Sequence, residues 1–178
     1  MRGYDARRAV WCGLAGVLLS LSAHGADNMR FHGVLVAEPC VIPPGAESIA
    51  LEFGTVIDKY LYLNKRTRGQ SFQIRLTGCD LSLGKSVKVA FSGIESPVLP
   101  GLLALNEGSQ ASGIAIGFET SQGQALPLNK GVAGYPLTAG SSLIELKAYV
   151  QGEPKAIANK SIEKGPFSAV ATFSLEYD

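Results

Sequence analysis

Apolar and polar residues alternate with a period of two in segment after segment of this chain. Phe72, Ile74 and Leu76 alternate with Gln73 and Arg75 just ahead of Cys79. Val87, Val89 and Phe91 flank Lys88 and Ala90, and Ile114, Ile116 and Phe118 repeat the pattern around Gly117. Ile144, Leu146, Ala148 and Val150 lie between Glu145, Lys147 and Tyr149. A strand with one buried face alternates in this way. Turn formers separate the runs: Pro43-Pro44-Gly45, Ser92-Gly93, Pro97 with Pro100-Gly101, Asn106-Glu107-Gly108, Asn129-Lys130-Gly131, and Gly152 with Pro154. No longer segment carries an apolar stripe of helical period. Many short strands with frequent turns predict an all-β sandwich.

The two ends repeat the pattern at greater length. Phe167, Ala169, Ala171, Phe173, Leu175 and Tyr177 make one face of a closing strand, with Val170 the apolar exception on its polar face. The chain stops one residue after Tyr177, so no successor strand is expected on the far side. Near the start, Met29, Phe31, Gly33 and Leu35 share one face and Arg30 and His32 the other. Open strand edges invite pairing and are normally covered. Here the edge itself is the expected functional element.

Before residue 26 the chain changes character. Arg2, Arg7 and Arg8 precede an apolar or small-residue run from Ala9 to Ala23, followed by Ala23-His24-Gly25. The run is too short to span a bilayer comfortably and ends in a small-x-small site, so residues 1–25 read as a secretory signal peptide. Trp11 before Cys12 argues against a lipid-anchored precursor. Removing 25 of 178 residues leaves 153, enough for one domain with a sizeable core. Three Arg and one Asp leave with it, which takes the formal charge from +1 to −1. Such a balance offers no basic field for nucleic acid. Cys40 and Cys79 remain, and an exported chain with two cysteines most simply forms one disulfide. Closing a loop of about 40 residues contributes roughly 4 kcal/mol in the chain-entropy model.

Candidate chemistry changes little. Two cysteines and the single remaining histidine, His32, make a poor metal site. Gly84-Lys85-Ser86 has the end of a phosphate loop, but Gly78 lies one residue too far upstream. Without a second histidine, His-based hydrolysis is unsupported. Glu119, Glu145 and Glu176 read as solvent-facing strand residues, which disfavours paired-carboxylate chemistry. Lys59, Lys65, Arg66 and Arg68 around Tyr60 and Tyr62 read as a solvated loop, or more sharply as a contact surface for an assembly partner. Asn159-Lys160-Ser161 is a glycosylation acceptor pattern. No catalytic residue, cofactor or small-molecule substrate is expected.

Taken in order along the chain, Phe31-His32-Gly33-Val34-Leu35-Val36, Pro39-Cys40, Phe72-Gln73-Ile74-Arg75-Leu76 ahead of Cys79, and the closing Ala171-Thr172-Phe173-Ser174-Leu175-Glu176-Tyr177 resemble the subunits of chaperone–usher pili, the P and type 1 pilin family. The resemblance implies an incomplete immunoglobulin-like sandwich that lacks its last strand, over 38–178, preceded by a donor-strand extension over 26–37. It implies that a periplasmic chaperone lends a strand to a groove beside the last strand. An outer-membrane usher then directs assembly, in which a neighbouring subunit's extension replaces that strand. Strand addition of this kind takes affinity from backbone bonds and selectivity from alternate side chains. Met29, Phe31 and Leu35 would be the donor side chains, and Gly33 the donor glycine. Phe173, Leu175 and Tyr177 would form the acceptor and chaperone-contacting face, with the Asp178 carboxylate gripped by chaperone basic side chains. The implied role is a non-enzymatic minor subunit, adaptor or terminator, carried through the periplasm to a surface fibre used in adhesion. A competing reading is a self-complete secreted immunoglobulin-like module that binds sugar or protein through its loops.

Overall fold

A computed structural model describes residues 32–178. The chain divides into two compact units, 1–35 and 36–178, and the architecture is that of the second. Six strands form two antiparallel three-stranded sheets, as the alternation predicts. They are β1 (Gln70–Cys79), β2 (Ser86–Ser92), β3 (Ile114–Thr120), β4 (Val132–Pro136), β5 (Gly140–Gly152) and β6 (Thr172–Tyr177). One sheet runs β1-β5-β3 and the other β4-β2-β6. Their inner faces supply the core: Ile74, Leu76, Val87, Val89, Ile144 and Leu146 are each at most 1% exposed.

The four central runs become strands in the positions their alternation marks. β4 is not legible in advance, because Gly134 and Pro136 break up a run of five residues. Two short helices, α1 (Asp58–Asn64) and α2 (Pro154–Asn159), also escape the periodicity reading. Each makes fewer than two turns, too few to display a stripe. α2 starts on Pro154 and is capped after Asn159 by Lys160, whose backbone is left-handed with φ 52°.

Cys40 and Cys79 are joined in a disulfide, as expected of an exported chain. It ties the start of the domain to the end of β1, and both sulfurs are buried. Val41 pairs with Thr77 through reciprocal backbone bonds of 2.8 and 2.9 Å, so the chain sets off along the outer edge of β1.

Glu119 overturns its solvent-facing reading. All seven residues of β3 are buried, and Glu119 is 4% exposed. The second face of β3 is covered by the stretch after α1. Arg66 bonds Glu119 at 2.8 Å, and its guanidinium lies 4.1 Å from the Tyr149 ring centroid. The Glu119 hydrogen bond holds the Arg66 guanidinium above its already high usual value. Arg66 therefore leaves the predicted solvated loop and becomes part of the packing. Glu145 and Glu176 are exposed, as expected.

Tyr135 on β4 packs against the core, and its hydroxyl is buried without a hydrogen-bond partner. Burial pushes its phenol above the usual value. The folded state therefore favours the neutral form, and stability is lost as pH rises beyond about 10. Tyr135→Phe is expected to stabilise the chain by up to about 1 kcal/mol and to flatten this alkaline loss. Urea unfolding of the full chain at neutral and alkaline pH measures both effects, and a destabilised Phe variant would contradict the orphaned hydroxyl.

A candidate strand-acceptor groove between the two sheets

On one side the sandwich does not close. β6 is the edge of its sheet and pairs only with β2, from Val87↔Tyr177 to Ser92↔Thr172. At its end, the Asp178 N–H donates to the Ser86 carbonyl and the Lys85 N–H to the Asp178 carbonyl. Backbone groups of successive residues point to opposite sides of a strand. The amide and carbonyl groups of Phe173, Leu175 and Tyr177 consequently face the open edge. An unpaired row of this kind is a template for another strand.

The predicted closing strand is only partly a ladder. Pairing starts at Thr172, and 167–171 run extended without a strand partner. The reason is a switch of neighbours. The Asn106 and Gln110 amides donate to the Ser168 and Pro166 carbonyls, at 2.8 and 2.9 Å, where β2 has already turned away. The alternation itself persists. Phe167, Ala169, Ala171, Phe173, Leu175 and Tyr177 are all half-buried against the core, and the residues between them are exposed.

The facing wall is the segment 47–56, which enters no strand ladder. Ile49, Leu51 and Phe53 point at the core and stay half-covered, while Ala50, Glu52 and Gly54 are exposed. Sequence reasoning missed this wall. Its signal was present in the i, i+2, i+4 spacing of those three side chains.

Between the walls lies a trench. One part, of about 300 Å³, is lined by Glu47 to Phe53 on one side and Ala169 to Phe173 on the other, over a floor of Phe72, Phe91, Leu103, Ile116 and Phe118. A second part, of about 560 Å³, continues past Val56 and Gly165. Phe91 and Phe118 stack at 4.3 Å in the floor, and Phe72 meets both edge-on. The floor is aliphatic and aromatic, polar groups such as Glu47, Glu52, Thr55 and Ser168 lie along the walls, and the small Ala169 and Ala171 leave depth between Phe167 and Phe173. Among the described residues no group of His, Cys, Asp or Glu could hold a metal ion. Such a trench can take up an extended apolar segment through side chains and backbone together.

The predicted acceptor residues divide. Phe173 lines the trench; Leu175 and Tyr177 continue the same face beyond it, half-buried on the core. The Tyr177 hydroxyl donates to the Cys40 carbonyl at 3.3 Å, and burial raises its phenol, with Glu38 adding to the shift. Asp178 is exposed, and its side chain is held by this chain's own Lys88 at 2.7 Å. Of the donor residues, Met29 and Phe31 lie outside the described residues, as does the signal segment. Gly33 and Leu35 are exposed and in no strand.

Residues 29–178 match the family model described as fimbrial protein. The fimbrial adapter PapK of Escherichia coli is 32% identical over 159 residues, with 85% of this chain and 88% of that protein covered. The major MR/P fimbria protein of Proteus mirabilis (strain HI4320) is 30% identical over 174 residues, covering 95% and 96%. In fold, the chain is similar to the crystal structure of the P pilus rod subunit PapA. The TM-score is 0.66 at 23% identity, over 79% of this chain and 100% of that one.

Proposed function

Because the chain belongs to the fimbrial protein family, the structural and non-enzymatic subunits of chaperone–usher pili, we propose that it is an internal, adaptor-type subunit that both receives and donates a strand. The observation that carries this reading is the apolar trench, open along 47–56 and 165–173 beside the unpaired edge of β6. The likeness to a fimbrial adapter favours the adaptor over the terminator role. Residues 1–25 act as the export signal, and 26–37 supply the donor strand through Met29, Phe31, Gly33 and Leu35. A periplasmic chaperone fills the trench until the usher presents the next donor. Phe173 takes part in the groove, while Leu175, Tyr177 and Asp178 lie where the chaperone's strand ends.

Exporting the mature chain with and without its chaperone tests this directly. A soluble one-to-one complex is expected with the chaperone, and aggregation or proteolysis without it. Adding a peptide of a neighbouring subunit's amino-terminal segment should then displace the chaperone. A stable monomer that needs no chaperone would mean a complete sandwich and end the reading. Refusal of every donor peptide would turn it toward a terminator.

A further inference from the structure

Resting on that strand-exchange reading, we propose that the α1 end of one copy of this chain docks on the Cys40 end of a second copy. The contact is apolar and rimmed by opposite charges. α1 carries an uncovered stripe: Ile57, Tyr60 and Leu63 are 59%, 40% and 82% exposed, while Leu61 on its other side is 1% exposed. Spacing of three residues puts the exposed side chains on one helix face. The stripe borders a hollow lined by Phe53, Thr67, Arg68 and Gln70. Lys59, Lys65 and Arg68 surround it, and none of them is ion-paired among the described residues.

The opposite end of the sandwich has a matching surface. α1 precedes Gln70 at the start of β1, and Cys79 closes that strand about 30 Å away. There Val41 and Leu83 are 54% and 52% exposed. Glu38 and Asp80 accompany them beside Asp178, against Lys85 and the Asp178-paired Lys88. The rims are thus complementary in sign, which guides and orients an encounter.

Chain length brings the two surfaces together. Every ladder among the described residues is antiparallel, and that pairing is the more stable per residue. A donor strand antiparallel to β6 finishes beside Gly165 and Val56, where α1 begins. From Leu35 to Cys40 are five residues, which reach at most about 18 Å. The donor copy's Cys40 end is thereby held next to the acceptor's α1. Contacts of two different patches on identical copies propagate head to tail.

The test uses the full chain exported with its chaperone and usher, carrying a photo-crosslinking amino acid at position 63. Strand-exchanged oligomers are resolved as a detergent-resistant ladder, and the crosslinked peptides are identified by mass. The expected result is a ladder whose crosslinks join position 63 to peptides containing Val41 or Leu83. A ladder crosslinked elsewhere, or not at all, overturns the docking contact and leaves strand exchange standing. Absence of any ladder overturns the docking of one copy on another, and displacement of the chaperone by a donor peptide then tests strand exchange by itself. In parallel, Lys59→Glu with Arg68→Glu should slow ladder growth about tenfold and abolish its salt dependence, with an unchanged yield of chaperone complex. An unchanged rate and salt dependence would count against the charged rim.

Discussion

Ala169→Trp is expected to turn this chain into a subunit that donates a strand but cannot receive one. Ala169 lines both parts of the trench, and its small side chain leaves room over Phe72, Ile116 and Phe118. An indole placed there occupies the volume a donor side chain needs. Overfilling a packed apolar site forces shifts costing about 1–3 kcal/mol per clash, before the lost donor contacts are counted. Acceptance of a donor peptide should fall at least about 100-fold, a loss of about 2.7 kcal/mol. Mixed with the unaltered chain, the variant should appear only at the receiving terminus of each oligomer. Gel analysis of mixtures with a tagged variant reads this out. Ala169→Leu is a milder plug that guards against misfolding, and it should give a smaller loss. Tagged Trp subunits found in the interior of oligomers would show that the trench is not the acceptor.

Deleting residues 27–35 should produce the opposite defect. The segment carries Met29, Phe31 and Leu35, three apolar side chains each worth about 1.5–3 kcal/mol when buried. Their combined loss, roughly 5–9 kcal/mol, with the backbone ladder gone as well, leaves no measurable docking into a preceding subunit. Chaperone binding should survive, because the trench residues are untouched. The two single-defect chains together make a sharp comparison. The Trp variant as donor and the deletion as acceptor should form dimers and nothing longer. Assembly at the normal rate by the deleted chain would remove 26–37 from its donor role.

Much of this architecture was legible because period-two alternation is a local property. β1, β2 and the first half of β5 bury every second side chain in a common core, so their spacing states their face before any partner is known, whereas β3 is buried on both faces. The disulfide was equally readable, since export and two remaining cysteines leave one simple pairing. Glu119 shows where such reading stops. It alternates like an exposed residue, and only Arg66, 53 positions away in sequence, makes its burial tolerable. β4 and the two helices were too short for any periodic signal to rise above their turn formers.

The groove marks the same division at the functional site. The sequence by itself determined that the chain is a strand-rich domain, and that its last alternating face runs from Phe167 to Tyr177. Those follow from residue type and spacing along one segment. Only the tertiary structure decided which backbone faces the free edge and where pairing with β2 begins. It also set 47–56 opposite that edge as the second wall. Neither wall is a site alone. The trench exists because two half-covered apolar rows, more than a hundred residues apart, are held in parallel over one aromatic floor. Pairing between distant segments is fixed by the whole core, and no local pattern records it.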